Sequence, residues 1–168
     1  MKYYHIEGEM NDEQVQKFIL FVNDNEGPLV LYLDSEGGYC ASALIFLDII
    51  NREPERFELV ASHIILSCAF ELFFNAACKK VVSPETIGAY HLTGNTARVN
   101  AAGLINDPLS AFKAAETKRT GKRDALEFCT RVGMNQKEVE TILRGKDVFF
   151  TPERLNELLA NVEHSTAN

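Results

Sequence analysis

The chain predicts an α/β fold with repeated β-β-α/βαβ units, a mainly parallel sheet and a C-terminal helical extension. Three observations carry that prediction. The run Leu29-Val30-Leu31-Tyr32-Leu33 is apolar on both faces, as a strand covered on both sides must be. Short apolar runs then alternate with helix-period segments as far as Leu92, which implies right-handed βαβ crossovers. From Asp107 onward the pattern turns helical and more polar. The 168 residues suit one domain, expected over 1–163, with 164–168 as a frayed tail.

Residues 2–7 alternate weakly and predict a first strand. Asn11 then reads as an N-cap with Gln14 three positions on, and Val15, Phe18, Ile19 and Val22 follow at helical spacing. The stretch Asn23-Asp24-Asn25-Glu26-Gly27-Pro28 ends that helix. A buried strand over 29–33 runs into Asp34-Ser35-Glu36-Gly37-Gly38, and Ala41 to Asn51 reads as a buried helix. Phe57 to Ala61 predicts a strand and Ser67 to Ala77 a second buried helix. Short strands follow at 80–82 and 87–92, parted by Ser83-Pro84. Beyond Tyr90-His91, helices are expected at 107–118, 122–132 and 135–144, with Gly121 separating the first two. Thr151-Pro152 supplies an N-cap and a proline at the first helical position of a last helix reaching about Val162.

Composition narrows the function. An apolar fraction of 46% with 24% charged residues is ordinary for a globular protein. A net charge of −7, with no basic stripe, argues against nucleic-acid binding, since nothing would neutralise phosphates. No apolar run is long enough to cross a bilayer, and Met1 to His5 lacks the apolar core of a signal peptide. Cys40, Cys68, Cys78 and Cys129 form no C-x-x-C pair and sit in apolar segments. They read as buried free thiols in a reducing cytoplasm, with no disulfide and no metal site. The double glycine is followed by neither G-x-G-x-x-G nor a phosphate-loop lysine, and no cofactor is expected.

Several segments together resemble the proteolytic subunit family of the Clp protease, within the fold shared with crotonases. Glu7-Gly8-Glu9-Met10-Asn11-Asp12-Glu13 and Leu29 to Asp34 match that family's first helix and strand. Asp34-Ser35-Glu36-Gly37-Gly38 resembles its strand-ending Asn-Ser-Pro-Gly-Gly. Residues 66–80 resemble its nucleophile helix, Ser83-Pro84 its Leu-Pro turn, and His91 falls on its catalytic histidine. Asp147-Val148-Phe149-Phe150-Thr151-Pro152-Glu153 resembles its Asp-Arg-Phe-…-Ala-Pro-Glu segment. The similarity spans almost the whole chain.

The resemblance implies a serine hydrolase site, with departures. Ungapped alignment through Phe70, Pro84 and His91 sets Leu66 in the nucleophile's slot, followed by Ser67. It puts the acidic triad member near Ile142 or Leu143, neither of which is acidic. Ser67 therefore has two readings, N-cap of the following helix or displaced nucleophile, and the cap is favoured. His91 is either a remnant base or a half-buried side chain. Oxyanion donors are expected from the backbone N–H groups of Gly37 and Ser67. Glu71, inside an apolar helix, needs a partner or a cleft.

The resulting expectation is a Clp-protease-like ring subunit, catalytically impaired or inactive. Its alternative is an active serine peptidase using Ser67 and His91, and a remoter one is a crotonase-like acyl-CoA enzyme. The family implies a homo-oligomer of ring or stacked-ring type, with an unfoldase or peptide as partner. Because the chain opens on its first strand, the N-terminal loops that meet the unfoldase are expected to be missing.

Overall fold

The computed structural model describes residues 2–92 and 108–166. In chain order these form β1 (Lys2–Met10), α1 (Asp12–Asn23), β2 (Leu29–Gly38), α2 (Cys40–Arg52), a single 3-10 turn (Pro54–Arg56), β3 (Phe57–Leu66) and α3 (Cys68–Asn75). Then come β4 (Lys79–Val82), β5 (Ile87–Tyr90), α4 (Pro108–Val132), α5 (Gln136–Leu143), β6 (Val148–Phe150) and α6 (Pro152–Thr166). The chain divides into two compact units, residues 1–90 with 149–168, and residues 91–148.

The first unit is built on a sheet of order β1-β2-β3-β5-β6, with β4 also paired to β3. The pairs β1–β2, β2–β3, β3–β4 and β3–β5 are all parallel, as both-face-apolar strands joined by helices require. One edge of β3 is shared by two short strands. Glu58 to Ala61 pairs with β4, and Ile64 to Leu66 pairs with β5. Between these stretches β3 bulges: while β2 advances from Leu33 to Ser35, β3 advances from Ala61 to Ile65. Thr86, fully buried, occupies the gap, its hydroxyl donating to Ala61 O at 2.8 Å and to Ser62 O at 3.1 Å.

Apolar faces of the helices pack against this sheet and against one another. Phe18 of α1 meets Phe46 of α2 at 5.0 Å between ring centres. Phe70 of α3 meets Phe74, Tyr90 and Phe150 at 4.7, 5.6 and 5.1 Å. Burying these rings together with Ile6, Leu31, Leu33 and Leu59 supplies the main favourable free energy, at about 1.5–3 kcal/mol per large apolar side chain. The N-cap of α1 forms as its sequence predicts, Asn11 Oδ1 accepting the Gln14 N–H at 3.0 Å. The Gln14 side chain turns instead to the Glu7 carbonyl, so the reciprocal half of a capping box is absent there.

Several expected bounds move. β2 does not stop before the glycines; it runs through them, and Gly38 is still in register with Met10. β3 extends to Leu66, since its far end finds a partner in β5. Of the predicted core face of α1, Val15 and Phe18 are buried but Ile19 is exposed. The anticipated break at Gly121 is absent, and α4 is one helix from Pro108 to Val132. Glycine costs a helix interior only about 1 kcal/mol relative to alanine, too little to end so long a helix. The expected frayed tail is helical as far as Thr166. In the second unit α5 carries a complete capping box between Asn135 and Glu138.

Arg56 ties the end of α1 to the start of β3. Its guanidinium donates to Val22 O at 2.9 Å and Gly27 O at 3.2 Å, reaches Asn25 O, and pairs with Glu53 at 3.1 Å. With 18% of its side chain exposed, it satisfies carbonyls that the helix end leaves open. Arg56→Ala is expected to lower unfolding free energy by about 2–3 kcal/mol, read from the urea midpoint. A loss below about 0.5 kcal/mol would show that these bonds exchange freely with water.

Candidate active site

The carboxyl ends of parallel strands are where α/β sheets place their ligands, because the following turns open there. In the first unit that end carries the last residues of β2, Gly37 and Gly38, and the β3–α3 turn, with Ser67. Leu66 is the last residue of β3 and pairs with Ala89. The residue at the strand-to-helix turn is Ser67, one position after Leu66.

Ser67 has φ +55° and ψ −123°, and among the described residues it alone has positive φ without being glycine. It stands at the N-cap position of α3, yet its side chain makes no capping hydrogen bond to that helix. A capping serine sits in extended backbone at no cost, whereas this conformation costs of order 1–3 kcal/mol. Tight neighbours hold it. A Cβ built on Gly37 would lie 2.9 Å from both Leu66 O and Ser67 Cβ and 3.4 Å from Cys68 N. Only glycine lets the end of β2 pass so close to the serine turn.

The anticipated oxyanion donors are otherwise engaged. The Gly37 N–H donates to Ser35 Oγ at 3.0 Å, in a buried turn. The Ser67 N–H donates to Ala89 O at 3.0 Å, continuing the β3–β5 ladder by one residue. A helix start leaves its first N–H groups without intrahelical acceptors, so the other backbone donors at this turn are those of the first residues of α3, beginning with Cys68.

Two other side-chain pairs complete the first unit's polar groups here. Tyr90 donates its hydroxyl to Glu71 Oε1 at 2.7 Å, which accounts for a carboxylate on an otherwise apolar helix. On the bulge, His63 Nδ1 lies 3.0 Å from Asp34 Oδ2, while Asp34 Oδ1 accepts the Ile64 N–H at 3.1 Å. The Cys68 thiol is fully buried, and desolvation, with the neighbouring Cys40 and Glu71, pushes it up to about 11. It stays a protonated, inert thiol at neutral pH. A cleft of about 370 Å³ between α1 and α2, lined by Ile19, Ile45, Ile49 and Phe57, takes in no residue of the Ser67 turn.

The second unit holds His91. Its Nδ1 lies 3.1 Å from Asp147 Oδ1, with 46% and 57% of the two side chains exposed. This carboxylate is not the one anticipated from the alignment. Ile142, near which the acid was sought, is a buried apolar residue of α5. The signal for Asp147 was its place at the head of the Asp147-to-Glu153 segment, just before β6. Donating Nδ1–H to a carboxylate fixes the imidazole tautomer, as an orienting carboxylate does for a general-base histidine. Among the described residues, no group of three His, Cys, Asp or Glu side chains is arranged to hold a metal ion. No helix among them is long and apolar enough to cross a membrane.

Comparison with solved structures assigns the fold. A point mutant of ClpP1 from Listeria monocytogenes superposes with a TM-score of 0.65 at 15% identity, covering 93% of this chain and 86% of that chain. No protein-family model and no curated protein sequence matches the chain. The protein has a ClpP-like fold.

Proposed function

We propose that the protein is a serine peptidase of the Clp type, in which Ser67 is the nucleophile and His91, oriented by Asp147, is its general base. The observation that carries this reading is the backbone of Ser67. Strain of that kind persists only where surrounding packing over-determines it, and it is characteristic of strand-to-helix turns that present a nucleophilic hydroxyl. The His91–Asp147 pair supplies the orienting carboxylate that a serine–histidine mechanism needs.

A serine–histidine peptidase mechanism requires the histidine base to take the serine's proton as the serine oxygen attacks the peptide carbonyl carbon. The imidazolium then gives the proton to the departing amine as the C–N bond breaks, leaving an acyl-serine. Water, deprotonated in turn by Nε2, attacks the ester, and Ser67 recovers its proton. Asp147 stays ionised and stabilises the imidazolium. Negative charge on the carbonyl oxygen falls to donors at the start of α3, where the helix dipole also favours it. The test is labelling by a fluorophosphonate probe followed by intact mass and peptide mapping. Modification of Ser67, lost in His91→Ala, is the expected result, and no labelling of the native chain would sink the peptidase reading.

A second reading, an inactive ring subunit, is favoured by one observation. Both anticipated oxyanion N–H groups are taken by the protein's own oxygens, Gly37 by Ser35 Oγ and Ser67 by Ala89 O. The same labelling experiment separates the two readings.

Self-assembly belongs to either one. Helix α2 exposes Leu44 at 63% and Ile45 at 41%, with Tyr39 just before it at 62%. A row of large apolar side chains there is costly in water and suits a subunit contact. Light scattering on the purified protein is expected to give a multiple of the 18.8 kDa chain mass. A monodisperse monomer at micromolar concentration would exclude the assembly.

A further inference from the structure

Two polar side chains interrupt the aromatic cluster around Phe70, and each meets the other. Tyr90 ends β5 and is buried, its ring 5.6 Å from that of Phe70. Glu71 is half-buried in α3, between the buried Phe70 and Leu72. The Tyr90 hydroxyl donates to Glu71 Oε1 at 2.7 Å, the short length of a charge-assisted bond. Phenylalanine and leucine would pack in these places with no polar atom to satisfy, so burial alone does not account for the pair.

The pair stands on a circuit of hydrogen bonds that runs through Ser67. The Ser67 N–H donates to Ala89 O at 3.0 Å, and the Ser67 carbonyl accepts the Glu71 N–H at 3.2 Å. Tyr90 follows Ala89 in the chain, and its hydroxyl returns to Glu71. The serine's N–H is thus tied to β5 and its carbonyl to α3, and the Glu71–Tyr90 bond joins the two tethers. Ser67 is also the residue whose φ of +55° stores strain. Such a conformation persists only where its surroundings over-determine it. Gly37 crowds this turn sterically, and the circuit restrains it through directed bonds.

We propose that Glu71 and Tyr90 are positioning residues for Ser67, their hydrogen bond locking β5 to α3 and so holding the strained turn that aims the serine hydroxyl. They act through the backbone of Ser67 and take no part in bond making. Where this bears on rate it rests on the peptidase reading of Ser67; where it bears on backbone order it does not. Without the tether the turn relaxes toward ordinary backbone, and the hydroxyl moves off its line of attack. The acceptor matters more than its charge. Glutamine keeps a carbonyl oxygen for the Tyr90 hydroxyl, and leucine does not.

The experiment compares Tyr90→Phe, Glu71→Leu and Glu71→Gln with the native full-length chain, all below the onset of unfolding. Fluorophosphonate labelling is expected to slow about tenfold in Tyr90→Phe and Glu71→Leu, and by no more than about threefold in Glu71→Gln. On a fluorogenic peptide the loss falls on kcat, with KM within about twofold of native. Hydrogen–deuterium exchange, read by mass, is expected to speed about tenfold in peptides covering Ser67 and to keep its native rate in those covering Leu29 to Leu33. Unchanged exchange at Ser67 in Tyr90→Phe would overturn the proposal, because the turn would then not need the tether. Equal acceleration in β2 would overturn it as well, since the pair would then serve stability at large. A Tyr90→Phe chain that labels at the native rate has the same consequence. A native chain that never labels removes the peptidase reading alone, and exchange at Ser67 then decides this one.

Discussion

Asp147→Asn is expected to slow fluorophosphonate labelling of Ser67, and turnover of a fluorogenic peptide, by about 10⁴-fold. The native carboxylate accepts Nδ1–H from His91 at 3.1 Å and so holds the lone pair on Nε2. Asparagine is nearly the same shape, but its amide nitrogen can donate to Nδ1, which favours the opposite tautomer. Nε2 then carries the proton and has nothing with which to accept one from Ser67. The variant also lacks the charge that stabilises the imidazolium. Stability should hardly change, because the Asp147 side chain is 57% exposed and exposed pairs contribute well under 1 kcal/mol. The informative control is the other histidine–carboxylate pair. Asp34→Asn makes the same chemical change at His63, and labelling of Ser67 should stay within about twofold. Equal losses from the two variants, or no loss from Asp147→Asn while Ser67 still labels, would reject His91–Asp147 as the base pair.

How much of this was legible in the sequence depends on whether a feature is local. The α/β alternation, the parallel sheet and the ClpP-like fold follow from apolar periodicity and from short motifs, which lie in contiguous residues. Asn11 as an N-cap and Pro152 opening the last helix were readable for the same reason. The identity of the turn residue was not. It depends on where β3 ends, which is set by the pairing of Leu66 with Ala89 of β5, a relation between strands that leaves no mark in the local sequence. The ungapped alignment put Leu66 in the nucleophile's slot, and the strand-to-helix turn is made by the next residue, Ser67.

The carboxylate beside His91 was missed for a related reason. The family resemblance led to Ile142 or Leu143, and Ile142 is an apolar side chain of the core of its unit. Asp147 lies past the end of α5 and directly ahead of β6, so only the fold brings it to His91. The oxyanion donors show a third kind of limit. That Gly37 and Ser67 have N–H groups is certain from sequence, but where each N–H points is set by Ser35 and by the β3–β5 ladder. A backbone donor's direction is a tertiary property.

The double glycine itself offers the sharpest stability test. Gly38→Ala is expected to destabilise the protein by roughly 4 kcal/mol, the combined cost of backbone strain and overpacking. Gly38 has φ +141°, and a Cβ there would lie 2.5 Å from Met10 O, 2.7 Å from Met10 N and 2.9 Å from Glu9 Cγ. The first two are backbone atoms of β1, which cannot rotate away as a flexible side chain can. Relief requires β1 to move off β2 at the point where Met10 pairs with Gly38, and where Tyr39 N–H donates to Met10 O at 2.9 Å. Gly145→Ala separates the two contributions. Gly145 has φ +77° but nothing within 4 Å of a built Cβ, so it carries only the conformational cost, about 1–2 kcal/mol. Urea unfolding of both variants measures the difference, provided each unfolds in one transition. A loss for Gly38→Ala no larger than that for Gly145→Ala would mean that β1 yields easily. The glycine would then be tolerated for its backbone freedom alone, and the close approach of β1 and β2 would not need it.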